Sequence, residues 1–335
     1  MSNPQRRFRT TCAAAVTAAL LASALGTPAH AAPSTVATNA KRNCLYSRHS
    51  IATLDQLGQQ LGRAFDCAVV FNDASPDWKG WEHPWFIGYY KPDSDWGKWV
   101  TAAPGRQLII TQSMIPSGAP ADWRQRGANG EYDAYATELA QYLVAKGLGG
   151  AIIRLGHEAN GNWYKDSIGT WRADFNAWRD YWGRIVRAMR AVAGAHFTFD
   201  WCINAGVRAI PFALWYPGNS VVDVIGADVY DTLPANKVTT SAARFGSIAN
   251  QAGGLTSLVA FAKKNGKPIS IPEWGLIPAD KLGAGDDPAF VAGIASVVHN
   301  NEVAYHSYFD AAIGSTLRLS DAPASLQQYR TDFVR

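Results

Sequence analysis

The sequence predicts a single-domain (β/α)₈ barrel. Short β-branched runs recur along the chain, separated by segments of helical periodicity, which is the pattern of βαβ units around a parallel sheet. Two of these runs, "AIIRLGHE" and "KPISIPEWG", break off into a glutamate beside aromatic residues. In this fold the C-terminal ends of the strands are where functional groups gather.

The elements follow in order. Cys44–Ser47 is a weak strand ahead of a helical segment, Ile51–Arg63. Cys67–Phe71 ("CAVVF") is a buried strand ending in Asn72 and Asp73, and Gln107–Gln112 ("QLIITQ") is the third. A helix from Tyr132 to Lys146 stops at Gly147, and Ala151–Leu155 is the fourth strand. Trp171–Val192 is a long helix whose Trp171, Phe175, Trp178, Trp182, Ile185 and Met189 form one apolar stripe. That spacing assigns its three tryptophans to the core. Strands at Phe197–Cys202, Val221–Ala227, Ile269–Pro272 and Val303–Phe309 follow, with helices at Ser257–Lys264 and Phe290–Val298. Eight strands are reached only by counting the weak first one. Glu158 then follows strand 4 and Glu273 follows strand 7.

Composition limits the function classes. Met1–Ala31 has the arginines Arg6, Arg7 and Arg9, an apolar Cys12–Leu25 and a small-x-small Ala29-His30-Ala31, which together read as a secretory signal peptide. Arg6-Arg7 fits a twin-arginine route only loosely. Residues 32–43 read as a short flexible segment, and 44–335 as the (β/α)₈ domain. The formal net charge of +4 falls nearly to neutrality without the leader arginines, which removes any electrostatic case for nucleic acid or membrane as a partner. A secreted monomer is expected, with no cofactor. No Cys/His spacing forms a zinc site. Of the cysteines after the leader, Cys44 and Cys67 flank a helix-like segment and are the favoured disulfide, while Cys202 reads as a small buried group. The 13 tryptophans are either large packing groups or flat platforms for sugar rings.

A carboxylate closing a buried strand is costly unless a site requires it. One alone is as readily explained by an arginine partner, but two of them, near Trp163 and Trp274, point to acid/base and nucleophilic chemistry on a sugar ring. His157 is either a structural histidine or a pocket group. It belongs to no metalloprotease helix motif, because Gly161 stands where a second histidine ligand would be. In "PDWKGWEHPWF" either Trp81 or Trp78 is a candidate sugar contact, unless the loop folds onto itself. Asp73 and Asp228 are candidates for hydroxyl hydrogen bonds or for turn and cap roles.

The segment "GEYDAYATELAQYLVAKGLGGAIIRLGHEANGNWY" resembles the core signature of family 26 glycoside hydrolases, the β-mannanase family. "LWYPGNSVVDVIGADVYD" is similar to that family's strand-6 region and "KPISIPEWG" to its strand-7 nucleophile segment. The resemblance spans roughly residues 45–315 and implies a retaining endo-glycosidase acting on a β-linked polysaccharide, β-1,4-mannan first. A β-1,3-xylanase, a mixed-linkage β-glucanase and a non-catalytic polysaccharide-binding protein are the alternatives. Carried over, Glu158 resembles the acid/base, Glu273 the nucleophile, His157 the histidine before the acid/base, and Arg154 the strand-4 arginine. Tyr230 resembles the tyrosine that bonds the nucleophile, Trp163 a sugar contact, and Trp201 an aromatic site of strand 5. Trp274 and Trp81 complete the expected sugar contacts. The chain departs from the family at the polar Lys165 and Asp166 and at Asn204, which has no clear counterpart.

Overall fold

The computed structural model describes residues 42–72, 74–88, 92–233, 241–313 and 316–334. The expected leader, most of the expected flexible segment and Asp73 lie outside them. Eight parallel strands close a barrel in sequence order: β1 (Arg42–Tyr46), β2 (Cys67–Asn72), β3 (Gln107–Gln112), β4 (Ile152–Leu155), β5 (Thr198–Asn204), β6 (Val224–Tyr230), β7 (Ile269–Gly275) and β8 (Val303–Phe309). The helices are α1 (Ile51–Leu61), α2 (Trp78–Glu82), α3 (Trp96–Thr101), α4 (Trp123–Ala128), α5 (Asp133–Ala145), α6 (Arg172–Arg190), α7 (Ser241–Ala249), α8 (Leu255–Lys264), α9 (Pro288–Asn300) and α10 (Pro323–Phe333). Among the described residues no helix is long and apolar enough to cross a membrane.

The weak first strand closes the ring. It runs in continuous register with β8, from Arg42↔Tyr305 to Tyr46↔Phe309, and so takes in the last two residues of the segment read as flexible. Its other seam is thin, since β1 and β2 share the single register pair Leu45↔Ala68. The Cys44–Cys67 disulfide lies one residue before that pair and ties the same two strands. Helix α1 starts where the Ser50 side chain accepts from Thr53 N and stops at Gly62, whose φ of 79° is left-handed.

Two cores result. A small inner one, with Cys44, Cys67, Val69, Ile109, Ile152 and Val224, fills the bottom of the barrel. A larger one lies between strands and helices. There α6 buries Phe175, Trp178, Trp182, Ile185 and Met189 as its spacing requires. Trp171 corrects the expected stripe. It is the N-cap of α6, with extended φ −100° and ψ 152°, and its side chain is 74% exposed. Helical spacing has no force at a residue whose backbone has not yet entered the helix.

Strand parity decides what faces the mouth. In β5, Asp200, Cys202 and Asn204 point inward, while Phe199, Trp201 and Ile203 pack outward against the helices. In β7 the parity is broken on purpose. Ser270 is inward, bonded to Asp200 at 2.6 Å, yet Glu273, three positions later, is inward too. A register shift against β8 between Ile271 and Trp274, and one against β6 between Gly226 and Val229, absorb the extra residue.

Candidate active site

The site is built around Arg154, fully buried in β4. Its Nη1 donates to Glu273 Oε1 and, at 3.2 Å, to Thr111 Oγ1 of β3; its Nη2 donates to Asp228 Oδ2 of β6. One guanidinium therefore neutralises two carboxylates from two strands, in the fork geometry only arginine offers. Burial opposes its charge, but Asp228, Cys202 and Glu273 outweigh burial and hold it protonated. Burial pushes Asp228 well up and Arg154 pulls it back. Asp228, a candidate for hydroxyl contacts, is thus taken up by the ion pair. The other oxygen of Glu273 accepts from Tyr230 Oη at 2.8 Å.

Glu158 stands where β4 breaks into its loop. Its φ of 49° is left-handed, a position that costs a non-glycine residue about 1–2 kcal/mol. Its own N–H donates to Cys202 O at 3.1 Å and its carbonyl accepts from Gly161 N at 2.8 Å, which holds that turn. Trp163 Nε1 donates to Oε2 at 2.8 Å and Asn204 Nδ2 donates to Oε1 at 2.6 Å. Burial first, then the negative Glu273, raises the Glu158 proton affinity; Arg154 and the two donors lower it. Trp163 folds back over Gly161, where a Cβ would meet the indole at 2.5 Å, so glycine is required there.

His157 is fully buried, between Phe71 and Tyr164, with ring centroids at 5.7 and 4.3 Å. Burial, then Arg154, lowers its pKa well below the usual histidine value, so it is neutral. Neither ring nitrogen has a hydrogen-bond partner among the described residues. Gly226 leaves room for the polar layer below: a Cβ there would meet Ser270 Oγ at 2.5 Å. In that layer Asp200 accepts from Ser270 at 2.6 Å and from Tyr305 at 2.5 Å. Among the described residues no three His, Cys, Asp or Glu side chains are grouped to hold a metal ion.

The structure thus brings together Arg154, His157, Glu158, Trp163, Tyr230 and Glu273. It removes three expected sugar contacts. Trp201 is fully buried among Trp215, Tyr216 and Phe261 on the outer side of β5. Trp274 is fully buried against Tyr329 and Phe333 of α10, on the outer side of β7. Trp81 is fully buried in α2, donating to Ser113 O at 2.8 Å, and Trp78 stacks on Tyr135 at 4.1 Å. Trp78 and Trp81 of the tryptophan-rich loop thus fold onto the scaffold, because an indole that finds a flat partner or an acceptor packs well, whereas Trp85 of the same loop is 50% exposed.

The polar departures also find their place. Asp166 accepts from Met114 N at 2.9 Å, and Lys165 donates to Ser117 O at 2.5 Å, so both tie the β4 loop to the loop after β3. Asn204 and Asn160, to which the sequence reading gives no role, and Thr111, which it does not name, also belong to the site. The alternation of polar Asp200, Cys202 and Asn204 with apolar Phe199, Trp201 and Ile203 was the available signal for the first.

No curated protein sequence matches this one. In fold it resembles a modular endo-β-1,4-mannanase from Cellulomonas fimi, with 16% identity and a TM-score of 0.62 over 89% of this chain and 74% of that one. It also resembles a family 26 β-mannanase from Bacteroides ovatus, with 14% identity and a TM-score of 0.58 over 82% and 80%. A Bacillus subtilis mannanase gives 15%, 0.54, 85% and 80%. Residues 66–285, from the start of β2 past the end of β7 and including both glutamates, match Glycosyl hydrolase family 26. The chain belongs to glycosyl hydrolase family 26 and is a glycoside hydrolase.

Proposed function

We propose that this enzyme is a secreted, retaining endo-glycosidase that cleaves β-1,4-mannan, with Glu273 as nucleophile and Glu158 as acid/base. The observation that carries the reading is the unequal environment of the two carboxyls. Glu273 accepts from the Arg154 cation and from Tyr230, whereas Glu158, buried beside it, accepts only from the neutral Trp163 and Asn204 and has a raised proton affinity. Two carboxyls whose surroundings differ in this way divide the work of acid and nucleophile.

In the first step a Glu273 oxygen bonds the anomeric carbon as the glycosidic C–O bond breaks. The Glu158 proton passes to the departing oxygen. Esterified Glu273 no longer carries the charge that raises Glu158, so the proton affinity of Glu158 falls when it must act as a base. Water then gives its proton to Glu158 and its oxygen to the anomeric carbon, and Glu273 is released. Two displacements retain the configuration. Trp163, 48% exposed beside Glu158, is the proposed contact for the sugar on the leaving-group side. The mannan preference is supported by what the structural relatives are named for. Secretion is supported by the leader-like N-terminus and by a disulfide of the kind kept in oxidising compartments.

The test is a polysaccharide panel of mannan, β-1,3-xylan and mixed-linkage glucan with the wild type, Glu158→Ala and Glu273→Ala. Mannan should be the preferred substrate. Glu273→Ala should lose turnover, with azide restoring it to give the inverted product. Glu158→Ala should lose polysaccharide cleavage yet show a burst of aryl release from an activated aryl glycoside. Polysaccharide turnover by Glu158→Ala near the wild-type rate would place the site elsewhere.

A further inference from the structure

Asn204 ends β5, and its Nδ2 donates to Glu158 Oε1 at 2.6 Å. Its own backbone is gripped by a single side chain. Asn160 Nδ2 donates to Asn204 O at 2.8 Å and to Val207 O at 2.8 Å, and Asn160 Oδ1 accepts from Asn204 N at 2.9 Å. Asn160 stands two residues after Glu158. The loop that carries Glu158 therefore locks the strand end that carries Glu158's hydrogen-bond partner. Neither asparagine depends on a long flexible side chain, so the Asn204–Glu158 contact is set by backbone placement.

We infer that Asn204 is a positioning residue for Glu158: its amide orients the carboxyl and favours the ionised form, setting the proton affinity at which Glu158 gives and takes its proton. The inference rests on Glu158 being the acid/base. A neutral N–H donor to a carboxylate oxygen stabilises the charged form. With Trp163 on Oε2 and Asn204 on Oε1, a proton on Glu158 is left the lone pairs that neither donor occupies. The charged and titratable groups around Glu158 are Glu273 from β7, Arg154 and the adjacent His157 from the end of β4, and Asp228 and Tyr230 from β6. Burial and Glu273 push its proton affinity up. Asn204 is the contribution from β5 that pushes it down. An Asn at this position can be changed without touching the Asn160 grip, which engages only its backbone.

The experiment is the pH profile of mannan hydrolysis by the wild type, Asn204→Ala and the isosteric Asn204→Asp. The sign follows from the donor. Losing it raises the Glu158 proton affinity, so the basic limb moves to higher pH, by about one pH unit for Asn204→Ala. Asn204→Asp adds a negative neighbour and should move it further. In both variants kcat should fall more than KM rises below the shifted limb, a split that a merely loosened fold would not give. If Asn204→Ala fails to fold, Asn204→Asp carries the test. Folded variants whose basic limb coincides with that of the wild type overturn the inference. Glu158→Ala is measured in parallel: if it still hydrolyses mannan, the acid/base assignment falls and the inference with it. Loss of mannan hydrolysis in Glu158→Ala, with an unmoved limb in the Asn204 variants, overturns the role of Asn204 alone.

Discussion

Replacing Arg154 with Met should destabilise the fold by an amount that depends on pH. Methionine keeps most of the side-chain volume and removes the cation. Asp228, fully buried, and Glu273, nearly so, are then left without the guanidinium that each contacts, and Thr111 loses its donor. Removing one partner of a buried pair costs about 3–5 kcal/mol. Against a typical total of about 5–15 kcal/mol that is a large fraction. The variant has one way to relieve the cost, which is to protonate Asp228, a group that burial already pushes well up. A folded-state proton affinity raised above the unfolded one contributes stability at low pH that is lost as pH rises. The loss should therefore be about 3–5 kcal/mol at pH 8 and smaller at pH 5. Urea unfolding followed by tryptophan fluorescence at both pH values reads this directly. A loss below about 1 kcal/mol, equal at the two pH values, would refute the claim that Arg154 is the shared counter-ion of the site.

Two further predictions concern stability. Cys44→Ala with Cys67→Ala opens a loop of 23 residues and should cost about 3 kcal/mol in urea unfolding, with the thin β1–β2 seam the first to exchange its amide hydrogens. An unchanged midpoint would mean that the β1–β8 register alone closes the barrel. Burial pushes Asp200 up to about 6, against the pull of Ser270, Tyr305 and Arg154. Its contribution is fully present below the usual carboxylate range and lost as pH rises through about 6. Asp200→Asn should therefore gain on the wild type by about 2.4 kcal/mol between pH 4 and pH 8, as compared by unfolding at both. A difference that does not change with pH would show that Asp200 stays ionised in the fold.

The strands were legible because β-branched runs such as "CAVVF" and "QLIITQ" are too short for a helix and are bounded by turn-forming residues. β1 was nearly lost: only Cys44, Leu45 and Tyr46 of its five residues are buried, and its identity comes from pairing with β8, far along the chain. The six residues that the structure groups were named from motifs: Arg154 and Glu273 lie within β4 and β7, Tyr230 ends β6, and His157, Glu158 and Trp163 follow β4. The other tryptophans were not legible. Richness in indole indicates large flat groups, but whether such a group meets a sugar or a helix depends on strand parity and on partners in other segments. Trp201 lies outward by simple alternation from Asp200. Trp78 depends on Tyr135, and Trp81 on a carbonyl of Ser113, contacts that no local pattern announces. Asn204 was visible as an oddity, and its purpose required the distance to Glu158.

The register shift in β7 makes the lining of the barrel mouth a property of chain counting. Were β7 to alternate regularly from Ser270, with no residue removed and no register shift, Glu273 and Trp274 would exchange faces. The carboxyl would turn toward α10 and the indole into the mouth, with every side chain of the family motif still present. A motif search would score that sequence as intact. Grafting strand 7 of this enzyme onto another barrel therefore requires moving the irregular edges of β6 and β8 with it, because those edges decide which of the two adjacent residues faces the barrel mouth.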